Sequence, residues 1–212
     1  MKSKNIYLIR HGQTDFNKQK RVQGRGIDSD LNLLGRLQAA AFFEVYKDVK
    51  FDKIYTSSLK RTVQSVQGFI DQGIPYESLS GFDEISWGLH EGLPYDEARH
   101  ARYLEGIDEW GKGNLNHRVG EGDTPIEVRD RQIQAMDYVL SQENEHNILI
   151  ATHGRAMRFQ LCWMMGMPLS DSELFEHANL CLYQLRYDEN KYEIIKRCDI
   201  SHLAHIDSEF EV

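Results

Sequence analysis

The sequence has few cysteines and prolines and contains no long hydrophobic run. Only 3 of its 212 residues are cysteine and 4 are proline, and its 16 glycines form no repeat or low-complexity tract. The cysteines Cys162, Cys181 and Cys198 are odd in number and lack C-x-x-C spacing, so we expect neither a disulfide framework nor a zinc site. No segment approaches the roughly 18 apolar residues of a membrane span. With 41% hydrophobic and 27% charged residues, the composition is that of a globular protein.

Targeting and linker signals are also missing. The apolar stretch near the N-terminus is interrupted by Arg10, too early for the roughly 7 to 15 apolar residues of a signal-peptide core. We therefore expect a protein of the reducing cytoplasm. No stretch rich in Ser, Gly or Pro divides the chain, so residues 1–212 are expected to form one domain.

Positive charge is scarce overall but concentrated at one end. The chain has 25 Lys and Arg against 33 Asp and Glu, a formal net charge of −8. Residues 1–61 hold 13 basic and 6 acidic residues, a net charge of +7, whereas residues 62–212 carry −15. An acidic protein is a poor partner for nucleic acid, but this distribution suits a local site for a small anionic ligand.

Hydrophobic patterning predicts a parallel sheet with helices on both faces. Residues 5–9, 51–56 and 147–152 are short apolar runs typical of buried strands, and helical spacing recurs between them. This alternation indicates βαβ units and a three-layer αβα fold. Residues 180–187 and 192–197 are expected to add an antiparallel edge hairpin.

Three helices are predicted from periodicity and capping signals. Leu33, Leu37, Ala40, Ala41 and Val45 recur at helical spacing and predict one apolar helix face. Residues 59–70 predict a second helix, capped by Ser57 or Ser58. The third follows from the capping box at residues 124–127, which has proline at the first helical position. Residues 81–123 are punctuated by glycine and are expected to form an inserted lid with one or two short helices.

Basic side chains follow three of the predicted strands. Two strands end in His-Gly pairs, at His11 and His153, and the third precedes a helix whose first turn contains Arg61. Because ligands bind beyond the carboxyl ends of parallel strands, we expect these side chains to converge in one crevice, together with Arg10. Two guanidinium groups, two imidazoles and helix N-termini make a site for a phosphate group.

Such a site is suited to nucleophilic attack on phosphorus. A neutral imidazole can attack while the arginines neutralise the phosphoryl oxygens, so no metal or other cofactor is required. The reaction also needs an acid that protonates the leaving alkoxide. Glu84 and Glu91 are the candidates, and spacing alone does not choose between them.

Five ordered blocks resemble the histidine phosphatase superfamily, the phosphoglycerate mutase-like group named for its RHG motif. They are RHGQTDFN at 10–17, QGRGIDSDLNLLG at 23–35, YTSSLKRTVQS at 55–65, DEISWGLHEG at 83–92 and ATHG at 151–154. The resemblance implies that His11 becomes phosphorylated and that Glu84, rather than Glu91, is the proton donor. It further implies that the phosphoryl group is bound by Arg10, Arg61 and His153, in a pocket lined by Asn17, Gln23, Gly24 and the backbone of Gly154.

The function implied is a cofactor-independent phosphomonoesterase of the histidine acid phosphatase type, acting on a small phosphorylated metabolite. A phosphoglycerate mutase that uses 2,3-bisphosphoglycerate is the alternative, and a non-catalytic phospho-ligand binding module is a third. Residues 93–125 lack the adjacent arginine pair and proline-rich stretch of such mutases, which disfavours the mutase. Arg155 stands where relatives often have Gly or Asn, so it either faces the pocket or caps a helix. His90 replaces an aromatic residue that relatives often have before Glu91.

Three weaker patterns remain. Asp28-Ser-Asp30 superficially resembles an aspartyl-phosphate motif, but no apolar strand precedes it. His202, His205 and Asp207 have metal-ligand chemistry, although a solvated segment is the simpler interpretation. A basic loop without interleaved aromatic residues forms either a cationic rim near the pocket or an ordinary solvated loop. Its members are Lys18, Lys20, Arg21 and Arg25.

Overall fold

A six-stranded mixed sheet forms the centre of the computed structural model, which describes residues 3–206. The strands lie in the order β3-β2-β4-β1-β5-β6. The first four in that order are parallel to their neighbours, whereas β5 and β6 run antiparallel. In chain order the strands are β1 (Lys4–Arg10), β2 (Lys53–Thr56), β3 (Tyr76–Ser78), β4 (Asn147–Thr152), β5 (Leu182–Asp188) and β6 (Lys191–Asp199).

Helices cover both faces of this sheet. The longest described helices are α2, α5 and α6, and α7 starts directly after β4. No helix within residues 3–206 is long and apolar enough to cross a membrane. The α-helices are α1 (Asp15–Lys18), α2 (Leu33–Tyr46), α3 (Lys60–Ser65), α4 (Gln67–Asp71), α5 (Glu97–Gly111), α6 (Pro125–Ser141) and α7 (Gly154–Met164).

Alternate residues of β1 and β4 belong to two separate hydrophobic clusters, which explains the three layers. Leu8 and Ile150 point into a cluster that includes Phe159 of α7, whereas Ile9 and Leu149 point into another that includes Phe42 of α2. Because successive side chains of a strand face opposite sides, a strand that is apolar throughout must be covered by helices on both. The predicted α/β fold with a mainly parallel sheet is confirmed.

The C-terminal hairpin also matches its prediction. β5 pairs with β1 and β6 forms the sheet edge. The connecting residues Glu189 and Asn190 both have positive φ, 48° and 62°. Two consecutive left-handed residues give the turn a twist that matches that of the strands.

Three details of the predicted helices are wrong. In α2, Leu33 and Val45 are 69% and 59% exposed, and the buried face is instead formed by Gly35, Gln38, Phe42 and Tyr46. The helix expected over residues 59–70 is broken at Val66 into α3 and α4. Neither Ser57 nor Ser58 caps α3, since Leu59 takes the N-cap position without a side-chain hydrogen bond.

Residues 81–123 contain more regular structure than predicted. α5 alone has 15 residues and is capped by Asp96, whose carboxylate accepts a hydrogen bond from the Arg99 N–H. Trp110 of α5 is fully buried against the main core cluster. α6 follows with the predicted capping box, in which Thr124 and Glu127 each accept from the other's backbone N–H.

Candidate functional site

The carboxyl ends of β1, β4 and β2 meet at one edge of the sheet, as predicted. The His11 N–H donates to the Thr152 carbonyl across the β1–β4 boundary, at 3.0 Å. The Ser57 N–H likewise donates to the Ala151 carbonyl, at 3.1 Å. As a result, the rings of His11 and His153 lie with their centroids 5.1 Å apart.

A cavity of about 220 Å³ opens above this edge. Six of the predicted site residues line it, namely Arg10, His11, Asn17, Gln23, Glu84 and Gly154. Arg61, His153 and Gly24 do not line it. Arg61 and His153 are fully buried, next to the residues that line the cavity, and the ring of His153 lies against that of His11.

Hydrogen bonding fixes the tautomer of His11. Its Nδ1 lies 2.7 Å from the Gly12 carbonyl oxygen, and because a carbonyl only accepts, Nδ1 must hold the proton. The Nε2 lone pair is then free. Burial, followed by the charges of Arg61 and Arg10, holds the pKa of His11 well below its ordinary value of 6.5. His11 is therefore a neutral imidazole with an available ring nitrogen.

His153 has the opposite tautomer. Arg61 Nε donates to His153 Nδ1 at 3.1 Å, so the ring proton is on Nε2, which lies 2.8 Å from Ser57 Oγ. Burial and then the Arg61 charge hold the pKa of His153 well below 6.5. The remaining Arg61 nitrogens donate to the carbonyls of Ile27, at 2.6 Å, and Gly24, at 3.2 Å. Burial lowers the pKa of Arg61 to about 10, which leaves it charged at neutral pH.

Glu84 and Glu91 have different surroundings. Glu84 lines the cavity, and its carboxylate accepts from the backbone N–H groups of Ile85, Arg155 and Ala156 at 2.8 to 3.2 Å. Two of these donors belong to the first turn of α7, so the carboxylate sits at the positive end of that helix. Glu91 lies outside the cavity lining and accepts from the Trp87 N–H at 2.8 Å. Of the two candidates, only Glu84 faces the site.

The remaining predicted residues form the wall on the side of the first loop. Asn17 closes the capping box of α1 with Thr14 and accepts from the Asn179 amide at 3.3 Å. Gln23 donates to Thr14 Oγ1 at 2.8 Å. Gly24 packs so tightly that an added Cβ would lie 2.1 Å from Glu91 Oε1. Asn17 and Gln23 line the cavity, whereas Gly24, which has no side chain, allows the backbone to lie against the Glu91 carboxylate.

Several cavity residues were not predicted. His177, between β5 and the 3₁₀ segment Leu169–Leu174, accepts a hydrogen bond from Arg10 Nη1 at its Nδ1, at 2.9 Å. The opposite wall is aromatic, since Trp87, His100 and Tyr103 line it and the rings of Trp87 and Tyr103 lie 4.8 Å apart. Trp87 belongs to the block at 83–92, whereas His100, Tyr103 and His177 lie outside every block that the sequence marks as a site. The helical spacing of His100 and Tyr103 in α5 is the one signal that could have paired them.

Arg155, whose role was left open, lines the cavity and does not cap α7 with its side chain. Its guanidinium forms an ion pair with one carboxylate oxygen of Glu173, and Arg158 binds the other oxygen. Arg155, Arg158 and Glu173 therefore form a cluster of two guanidinium groups and one carboxylate near Arg10.

The four residues of the basic loop have different surroundings. Lys20 and Arg21 line the cavity, which supports the cationic-rim interpretation for these two. Arg25 pairs with Asp123 at 3.3 Å, and Lys18 lines a separate surface depression.

The side chains of Asp28, Asp30 and His202, from two of the weaker motifs, make contacts within the fold. Asp28 accepts from the Lys60 N–H at the start of α3, at 2.8 Å, and Asp30 accepts from Gln64. His202 packs its ring on Phe42, with centroids 5.2 Å apart. No cluster of three potential metal ligands occurs among residues 3–206, and Asp207 lies outside the described residues.

Comparisons with known proteins find relatives that are named as phosphatases. The chain is 31% identical over 204 residues to the uncharacterized phosphatase PhoE of Bacillus subtilis, covering 94% of this chain and 96% of that protein. It is 40% identical over 101 residues to the fructose-2,6-bisphosphatase TIGAR of Bos taurus, covering 44% of this chain and 37% of TIGAR.

The fold matches a solved structure, YhfR of Bacillus stearothermophilus, with a TM-score of 0.84 at 24% identity over 94% of this chain and 99% of that one. A sequence model of the histidine phosphatase superfamily (branch 1) matches residues 6–200. That span contains every residue placed around the cavity above. The chain therefore belongs to the histidine phosphatase superfamily (branch 1).

Proposed function

We propose that the protein is a phosphatase that hydrolyses phosphomonoesters of small metabolites through a phosphohistidine on His11. The observation that carries this proposal is the fixed tautomer of His11, which directs its proton to the Gly12 carbonyl and leaves Nε2 free beside the cavity. Phosphatase names among the relatives support the same reaction class. A cavity of about 220 Å³ suits a small leaving group.

In this proposal, His11 Nε2 attacks phosphorus and the P–O bond to the leaving alcohol breaks. Glu84, in its protonated form, gives its proton to the departing oxygen. A water molecule then loses a proton to the Glu84 carboxylate and attacks the phosphohistidine, which releases inorganic phosphate and restores neutral His11. Both steps conserve protons overall and use only side chains of this chain.

Arg10 and Arg61 supply the positive charge that stabilises the phosphoryl oxygens in both steps. Arg10 lines the cavity, which supports a direct contact with the phosphoryl group. His153 orients Arg61, and its own contact with a phosphoryl oxygen requires its Nε2–H to leave Ser57 Oγ. The Gly154 backbone at the start of α7 adds an N–H at the positive end of that helix.

The acid phosphatase subtype is a further part of the proposal. A nucleophilic imidazole must be neutral, and the pKa of His11 is held well below 6.5 by burial and two arginines. His11 therefore stays ready to attack at mildly acidic pH, where an exposed histidine would be protonated.

The test is phosphate release from p-nitrophenyl phosphate and from a panel of sugar phosphates, with EDTA present. We expect turnover by the wild-type protein, abolition by His11→Ala, and no change with His146→Ala, which lies outside the site. An acid-labile phosphoenzyme should be trapped by rapid quench in the wild type and in His146→Ala, but not in His11→Ala.

The alternatives predict different products. A mutase would need a bisphosphate primer and would release little free phosphate, whereas a binding module would give no phosphoenzyme. Full activity of His11→Ala would place the reaction on another residue.

A further inference from the structure

The side chain of Arg10 has one polar side-chain partner in the described part of the protein, and it is an imidazole. Arg10 Nη1 donates to His177 Nδ1 at 2.9 Å, whereas its buried Nε has no hydrogen-bond partner. A guanidinium can only donate, so Nδ1 is the acceptor and the ring proton of His177 is on Nε2. His177 therefore fixes the orientation of the arginine that faces the cavity.

The glycine of the second His-Gly pair makes room for this contact. A Cβ added to Gly154 would lie 3.0 Å from His177 Cε1 and 3.2 Å from Arg10 Nε. The start of α7, the end of β1 and the loop before β5 thus meet at one point, and Gly154 allows the two side chains to lie against its backbone.

The surroundings of His177 keep it uncharged. Arg10 approaches it from β1, while Arg155 and Arg158 approach from α7 and are held by Glu173 of the 3₁₀ segment Leu169–Leu174. Burial, followed by the charges of the three arginines, lowers the pKa of His177 to about 2. At any working pH it is a neutral hydrogen-bond acceptor.

An uncharged acceptor leaves the positive charge of Arg10 uncompensated, whereas a carboxylate would not. An Asp or Glu in this place would hold Arg10 at least as firmly, but it would cancel the positive charge that the phosphoryl oxygens need. The same arrangement occurs at Arg61, whose Nε donates to the neutral His153 while its other nitrogens donate to carbonyls. Both arginines assigned to the phosphoryl group are thus oriented by groups without charge.

We propose that His177 is a positioning residue, which orients Arg10 toward the phosphoryl group through an uncharged hydrogen bond and so leaves the full charge of Arg10 available to the substrate. This inference rests on the proposed function of Arg10. It assigns a role to a residue outside every sequence block that resembles the family.

Three substitutions separate orientation from charge. His177→Asn keeps an uncharged acceptor oxygen near the position of Nδ1, His177→Ala removes the acceptor, and His177→Asp keeps an acceptor but adds a negative charge. We expect kcat/KM within about threefold of wild type for Asn and a loss on the order of 10- to 100-fold for Ala, the range expected when a group that places a catalytic charge is lost. Asp should lose at least as much as Ala.

Affinity for orthovanadate and inorganic phosphate, measured by calorimetry, should follow the same order. His146→Asn and His146→Asp serve as matched controls outside the site and should leave both quantities unchanged. Thermal unfolding of each variant shows whether a loss of activity or affinity accompanies a loss of stability.

Three results would overturn the inference. The first is wild-type kcat/KM and vanadate affinity in His177→Ala, and the second is equal loss in Asn, Ala and Asp that tracks their melting temperatures. The third is vanadate affinity in His177→Asp equal to that of Asn. If the wild type releases no phosphate but binds it, and binding still falls in Ala and Asp only, then the proposed function fails and the positioning role stands.

Discussion

Two histidines lie side by side at one edge of the sheet, yet their hydrogen bonds give them opposite tautomers. His11 donates from Nδ1 to a carbonyl, whereas His153 accepts at Nδ1 from Arg61. The unprotonated ring nitrogen of His153 thus accepts from a guanidinium, and of these two histidines His11 is the one whose unprotonated nitrogen is available to the cavity. The duplicated His-Gly motif, which makes the two residues look equivalent in the sequence, therefore encodes two different roles.

The residue that protonates the leaving group can be tested by the choice of substrate. Glu84→Gln keeps the shape of the side chain but removes the proton, so kcat/KM for an alkyl phosphate, which reports the transfer to His11 and not the later hydrolysis, should fall by roughly 10² to 10⁴. Hydrolysis of p-nitrophenyl phosphate should fall far less, because nitrophenolate leaves without protonation. Steady-state kinetics on the two substrates measure the difference.

Glu91→Gln is the matched control for this experiment. Glu91 lies outside the cavity lining and accepts from the Trp87 N–H and the Ser86 hydroxyl of its own loop, so its substitution should affect both substrates alike. An equal effect of Glu84→Gln on the two substrates would rule out Glu84 as the acid.

At the scale of the elements, the site depends on how α2 is rotated about its axis. The sequence offers two neighbouring stripes on this helix, one with Leu33 and Val45 and one with Phe42 and Tyr46. The second is buried because Gly35 packs on the loop after β1, where an added Cβ would lie 2.1 Å from the Gln13 carbonyl oxygen. Gln38 Oε1 also accepts from the Gln13 N–H, at 3.0 Å. Periodicity alone does not contain this loop contact, so it indicated the wrong stripe.

A pair of glycine substitutions tests this packing. Gly35→Ala should lower the free energy of unfolding by about 1 to 3 kcal/mol, because the new methyl group would overlap the Gln13 backbone. Gly111→Ala, also in a helix, has nothing within 4 Å of the new Cβ. It should be neutral or stabilise by up to about 1 kcal/mol. Urea unfolding of both variants gives the comparison, and equal stability would show that the loop after β1 is free to move.

How far the elements could be predicted depends on whether their signals are local. The sequence predicts both boundaries of the strand at residues 147–152 and the start of the helix after Thr124, because an apolar run and a capping box are complete within a few residues. The break at Val66 and the contact between His177 and Arg10 depend on groups far apart in the chain. Such features appear in no local pattern and were missed.

For the molecule as a whole, the uneven charge distribution leads to the cavity. Arg10, Lys20 and Arg21 line it, and Arg61 is buried next to the residues that line it, so four cations of the basic first 61 residues surround one site. The acidic remainder provides Glu84 and the partners of Arg155. This placement agrees with the prediction that the charge distribution suits a local site for a small anionic ligand.

Buried neutral histidines make stability depend on pH. The pKa values of His11, His153 and His177 all lie below the 6.5 of an unfolded chain. As pH falls from 7 to 5, the unfolded chain takes up these protons and the folded protein does not, so the free energy of unfolding should decrease. Each histidine contributes up to about 1.4 kcal/mol per pH unit below 6.5.

Urea titrations at pH 7, 6 and 5 measure this slope. Carboxylates such as Glu127, with a pKa lowered to about 2, lose their stabilisation only at lower pH, so the window reports mainly on histidine. His177→Asn should reduce the slope by up to about 1.4 kcal/mol per pH unit, because one of the three protons is removed. A stability that is constant from pH 7 to 5 would mean that the folded protein protonates these rings.

The pairing of β1 with β4 also determines when the site can exist during folding. Asn5 lies opposite Asn147 and Arg10 opposite Thr152, so this ladder closes a loop of most of the chain. Arg10 is the last residue of β1 and His11 follows it directly, whereas His153, Gly154 and His177 come after β4 in the chain. Contacts of such long sequence separation form slowly, because chain entropy is lost before they are made. Recovery of phosphatase activity during refolding would then report the closure of the sheet, and a ribosome-bound chain would stay inactive until His177 has emerged.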